Sequence, residues 1–185
     1  QEEIVEPDRR IIDTHHHLWG PGGALPYSLD DLLADTGSGH RVEKTVFMEC
    51  HAEYRSVGPE IHRSLGEVEF VTEQASKTAS AGDGQAQIVA LVSNIDLSLG
   101  DAAEELIHLH EDTSKGLFRG VRHVGASADK KDGLMLAGRA PRDLYSRRDF
   151  RDGVARLGKL GHSFDAWHYH YQIQDFTRLA QAVPD

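Results

Sequence analysis

Three histidines stand in a row in IIDTHHHLWG, residues 11–20, directly after an aliphatic pair and an aspartate. An extended chain turns successive side chains to opposite faces, so His15 and His17 point together and His16 points away. Asp13 falls on the face of His15 and His17. Ile12 and Thr14 fall on that of His16, the side expected to meet covering helices. Two neutral imidazoles two residues apart on one strand can chelate a single divalent ion, and a neighbouring carboxylate can orient a ligand. The expected ligands are therefore His15 and His17, with Asp13 as their orienter. Zinc is the first expectation for the ion and manganese the second. An affinity-tag scar is the poorer reading, because this run lies inside a strand pattern.

Other chemistry-bearing residues recur where apolar runs end. Glu49 and His51 close VEKTVFMECH on one face, Glu49 being the more apt to touch a substrate. Arg122 and His123 close FRGVRH on opposite faces, so at most one of them points inward along a regular strand. A guanidinium there suits a substrate carboxylate; an ion pair with a strand-end acid is the equal alternative. Asp165, Trp167 and Tyr169 share one face of a last strand, and His168 and His170 share the other, where packing or loop hydrogen bonds are expected ahead of metal. Asp96 reads equally as a helix N-cap or a ligand. His40, His62, His108, His110 and His162 read as surface or structural residues. Cys50 reads as a core thiol rather than a nucleophile.

The elements that must position these groups alternate. Strands are expected over residues 9–19, 42–51, 86–97, 118–126 and 162–170. Helices are expected over 28–36, 60–80, 101–114, 143–160 and 172–183, with a polar surface loop at 127–142. Five β-α repeats imply a parallel sheet with crossover helices. No GxGxxG or Walker-type loop follows any strand, which favours a closed barrel over an open nucleotide-binding sheet. In a barrel the reactive groups sit at the strand C-termini, where every polar cluster here falls.

Composition narrows the partners. The 185 residues suit one domain or part of a larger one, and 39% hydrophobic residues can bury a core. Twenty Lys+Arg against thirty Asp+Glu give a formal charge of −10. That balance disfavours nucleic acid or an anionic membrane as the main partner and leaves a small-molecule substrate. A single cysteine among 185 residues excludes an intrachain disulfide and fits a reducing, cytoplasmic setting. Association into a homo-oligomer is compatible with all of this.

The run D-x-H-x-H resembles the first strand of the amidohydrolase superfamily. IIDTHHHLW, TVFMECHAEYR, GEVEFV, FRGVRH, FDAWHYHYQI and LAQAVPD together resemble its amidohydrolase-related group of TIM-barrel metal-dependent hydrolases, which includes lactonases. The resemblance spans Arg9 to Asp185. It implies a (β/α)8 barrel, a divalent metal and hydrolysis of a lactone or another cyclic ester or amide by activated water. His15 and His17 match the first-strand ligands. Asp13, Glu49 and Arg122 are then the expected catalytic residues, and Trp19, His51, His123, Asp165 and Gln172 the expected substrate contacts. Gln172 matches a family glutamine just past its strand. Related members that cleave C–C bonds make a non-oxidative decarboxylase the second enzymatic expectation. The family completes its site with a later-strand histidine and a last-strand aspartate, and this chain contains neither. The expectation is therefore an incomplete TIM barrel of about five βα units, residues 1–185 forming the N-terminal part of one domain. The remaining units would come from the same or a second chain; without them an inactive partial barrel or interaction module is the third reading.

Overall fold

The computed structural model describes residues 3–21, 23, 25–80, 84–128 and 139–184. Five strands alternate with five helices: β1 (Arg10–His16), α1 (Leu29–Thr36), β2 (Arg41–Met48), α2 (Leu65–Ser80), β3 (Gln87–Ser93), α3 (Asp101–Ser114), β4 (Phe118–Val124), α4 (Arg148–Lys159), β5 (Ser163–Trp167) and α5 (Ile173–Ala182). This is the β/α alternation expected. Most of the 127–142 loop lies outside the described residues, as does Asp185. Among the described residues no helix is long and apolar enough to cross a membrane. Contacts divide the chain into two compact units, Gln1–Ser93 with Leu109–Arg119 and Asn94–His108 with Gly120–Asp185.

In the first unit β1, β2 and β3 pair in parallel. Leu32 of α1, Phe47 and Met48 of β2, Val68 and Val71 of α2, and Leu91 of β3 are buried in its core. Ser28 starts α1 with a reciprocal cap: its Oγ accepts from the Asp31 N–H, and its own N–H donates to Asp31 Oδ2 at 2.8 Å. Such caps are worth about 1 kcal/mol. The start of α2 requires glycine at 66, because a Cβ there would stand 2.3 Å from the Glu53 carbonyl oxygen. His110 of α3 is fully buried. Its Nδ1 lies 2.7 Å from Ser93 Oγ and its Nε2 3.2 Å from Ser64 Oγ. Burial, and then the nearby Arg55 and His62, hold its pKa down at about 4.

In the second unit β4 and β5 pair in parallel from Gly120↔Ser163 to Val124↔Trp167. Helix α4 buries Phe150, Val154 and Leu157. Gly153 brings α4 against the Leu97 carbonyl, where a Cβ would approach to 1.9 Å. Arg156 of α4 reaches Asp101 and Glu104 in the first turn of α3, each at 2.9 Å.

All five strands are shorter than the sequence predicts, β1 ending at His16 and β4 at Val124. β2 ends at Met48, β3 at Ser93 and β5 at Trp167. Beyond Met48 the chain turns left-handed at His51, with φ 62°. Glu49 and His51 therefore do not share a strand face as alternation predicts. Beyond Trp167 the chain enters a 3-10 turn at His170–Gln172, so the expected alternation of His168, Tyr169 and His170 is also lost.

Candidate functional site

Register decides which residues of the histidine run belong together. Asp13 pairs with Thr45, whereas His16 pairs with Phe47, so three steps along β1 match two along β2. One extra residue in a strand flips the faces beyond it. Register partners on parallel strands point the same way, so Asp13 shares the Thr45–Phe47 face with His16, not with the two flanking histidines. The cause is local. Asp13 Oδ1 accepts the backbone N–H of His15 at 3.0 Å and draws that amide out of the ladder. Asp13 thus orients the backbone of the run; it leaves the strand face expected for it but still lines the cleft that the two imidazoles border. Ile12 is correspondingly exposed, at 58%, while His16 is buried at 7% with its ring edge-on to Phe47. Burial is the main reason that the His16 pKa falls to about 4.

His15 and His17 do converge. Their Nε2 atoms stand 3.3 Å apart, with the rings nearly perpendicular. His17 Nδ1 lies 2.8 Å from the Met48 carbonyl oxygen, which can only accept. Nδ1 therefore carries the proton and Nε2 the lone pair, the tautomer a metal ligand needs. In the metal-free pair His15 Nε2–H donates to that lone pair. Two nitrogens each about 2.0–2.1 Å from a tetrahedral ion stand roughly 3.3 Å apart, so the observed spacing fits a zinc-type chelate. Among the described residues no group of three His, Cys, Asp or Glu side chains could hold a metal ion. What the described residues bring to chelating distance is this pair of imidazole nitrogens.

The two histidines border a cleft of about 460 Å³ whose walls include Asp13, Trp19, Tyr27 and Asp35. The Trp19 ring lies 5.5 Å from that of His17. Tyr27 donates its hydroxyl to Asp35 Oδ2 at 2.7 Å; partial burial, then the carboxylate, push the phenol up to about 12. Tyr27 and Asp35 escaped the sequence reading because α1 alone brings them to β1.

At the end of β2, Glu49 is buried at 1% exposure and its Oε2 lies 3.7 Å from His51 Nε2. The exposed His51 ring rests on Tyr54 with centroids 4.9 Å apart. Beneath this turn lies Glu67 of α2, itself buried, whose Oε1 accepts the backbone N–H groups of Cys50 at 2.9 Å and Ala52 at 2.8 Å. Burial pushes Glu67 up to about 8, the two amides pulling the other way. The sequence reading missed Glu67, which lies inside the helix expected over 60–80 and well along the chain from the amides it accepts. Cys50 is half-buried against the Leu18 carbonyl, and burial pushes its thiol up to about 12, as suits a core thiol.

In the second unit Arg122 and Asp165 are register partners, so their side chains lie on one face of adjacent strands. Arg122 is buried. His123 turns the other way: its Nδ1 accepts the Leu97 N–H at 3.2 Å and its ring meets Phe150 edge-on. That placement corrects its expected substrate contact to a packing role. Gln172 is corrected likewise. Its Oε1 accepts from the Ser127 and Tyr169 amides at 3.0 and 3.3 Å, and its Nε2 donates to the Gly125 carbonyl at 2.9 Å. The buried amide is fully engaged in fixing backbone.

No protein-family model and no curated protein matches the chain. Solved structures do. One is an amidohydrolase from Burkholderia multivorans with bound zinc, 20% identical, with a TM-score of 0.61 over 92% of this chain and 53% of that one. Another, of an amidohydrolase from the same organism with bound HEPES, is 20% identical with a TM-score of 0.57 over 92% and 52%. At that identity the likeness shows the fold: an incomplete (β/α)8 barrel with five βα units present. The chain spans about half the length of the solved structures it matches.

Proposed function

We propose that this chain carries five βα units of a metal-dependent hydrolase of the amidohydrolase superfamily, acting on a lactone or another cyclic ester or amide. The observation that carries the reading is the His15–His17 pair, with Nε2 atoms 3.3 Å apart and the His17 tautomer set by the Met48 carbonyl. Zinc bound in a solved structure of like fold supports the choice of ion. When bound, such an ion polarises a carbonyl and acidifies water.

The chain's own residues hold and orient. His15 and His17 supply two nitrogen ligands, and Trp19 walls the cleft beside them. Glu49, buried at the end of β2, can accept a proton or a substrate hydroxyl. Arg122, beside Asp165, suits a substrate carboxylate or the carbonyl oxygen of a lactone. The missing ligands and the general base belong to further βα units, on the same or a second chain. The lone cysteine suits a reducing, cytoplasmic compartment.

The test is ring opening of a lactone panel, followed by acid release, with the chain joined to the remaining units. His15→Ala and His17→Ala should each abolish turnover while leaving the circular-dichroism spectrum unchanged. Release of CO₂ in place of ring opening would replace the hydrolase with the decarboxylase. Full turnover by both folded variants would remove the histidines from the mechanism.

A further inference from the structure

The turn after β2 is held in an uncommon shape. His51 and Glu53 both adopt positive φ, 62° and 50°, without being glycine. Such backbone persists only where the surroundings over-determine it. Here the surroundings are the first turn of α2. Gly66 lets that helix press against the Glu53 carbonyl. Glu67 Oε1 then accepts from Cys50 and Ala52, the amides on either side of the left-handed residue. Two amides converging across a left-handed residue form a nest that receives an anion, and Glu67 fills it from within the chain.

We infer that Glu67 is a positioning residue, whose buried carboxyl sets the turn at His51 and thereby the places of Glu49 and His51 at the mouth of β2. Its importance for catalysis rests on the hydrolase reading above; the geometric role does not. Three observations support it. Glu67 is only 1% exposed, so solvent cannot replace it at the amides. Its oxygen is shared by two donors whose residues bracket His51 alone. Finally, Glu49 and His51 sit at this turn and approach each other at 3.7 Å. The high Glu67 pKa agrees with a carboxyl group retained at a desolvation penalty rather than for solubility.

Amide hydrogen exchange of the 185-residue chain tests this without reference to activity. Glu67→Ala should lower the protection of the Cys50 and Ala52 amides by about tenfold or more relative to the β3 amides of the same sample. Glu67→Gln keeps an acceptor oxygen and should restore most of that protection. Thr72→Val, a change elsewhere on buried α2 whose hydroxyl donates to the Val68 carbonyl of the same helix, should leave both amides as they are. Unchanged protection in Glu67→Ala would overturn the assignment. Should that variant not fold, Glu67→Gln decides: loss of protection at both amides, with the β3 amides intact, overturns it equally. In the joined hydrolase, Glu67→Ala should lower kcat about tenfold with KM within about twofold, and Glu67→Gln should recover it. Absence of turnover in the unsubstituted protein would count against the hydrolase reading alone and leave the exchange result to decide the role of Glu67.

Discussion

His15 and His17 face each other through their Nε2 atoms at 3.3 Å, and the His17 ring is pinned from behind by the Met48 carbonyl, with no such contact to the His15 ring among the described residues. The pair is asymmetric. His17 is presented as a ready lone pair, whereas His15 must release its Nε2 proton or change tautomer to join it.

Zinc titration of the isolated chain should therefore show a single weak site, since the described residues bring two ligands of four together. Each of His15→Ala and His17→Ala should weaken it by at least about 10–100-fold, the loss that removing an outer-shell partner alone can cause. The double variant should be scarcely worse than either single one, because a chelate is broken once. Calorimetry reads all three. Additive losses would mean that the two rings bind separate ions.

Acid should destabilise the first unit through His110. Its pKa is about 4 when folded against an ordinary 6.5, so between these values the unfolded chain binds more protons and stability falls as pH falls. The full contribution is present above pH about 6.5, and its loss amounts to about 3 kcal/mol by pH about 4. Urea unfolding of wild type and His110→Gln at pH 7 and pH 4.5 measures the difference. His16 adds a slope of the same sign. Glu67, raised to about 8, opposes them, losing stability as pH rises from about 4.5 to 8. The comparison between variants isolates the His110 share, and parallel pH dependence in the two proteins would refute it.

Gln172→Ala should cost about 2–4 kcal/mol in urea unfolding, because three backbone groups lose their partner in a buried place. A residue kept for substrate contact would instead leave stability nearly unchanged and alter KM.

Much of the fold was legible because its signals are local. Apolar runs of strand length and their alternation with helical patterns need no distant partner to be read. Convergence of His15 and His17 was legible for the same reason: a spacing of two residues needs no distant partner to be read. Asp13 was misplaced because strict alternation assumes an unbroken ladder, and the bulge depends on pairing with β2. His123 and Gln172 were misassigned because each is claimed by backbone groups remote in sequence, and the shared face of Glu49 and His51 because the chain turns left-handed at His51.

The sequence by itself determined the β/α order, the histidine pair and the apolar residues that can form a core. Those follow from periodicity and residue chemistry, which act over a few positions. Only the tertiary structure decided which face Asp13 joins, that Glu67 reaches under the His51 turn, and that His110 is neutral between two serines. Each of these depends on desolvation and on hydrogen bonds closed between elements, and both exist only once the elements have packed.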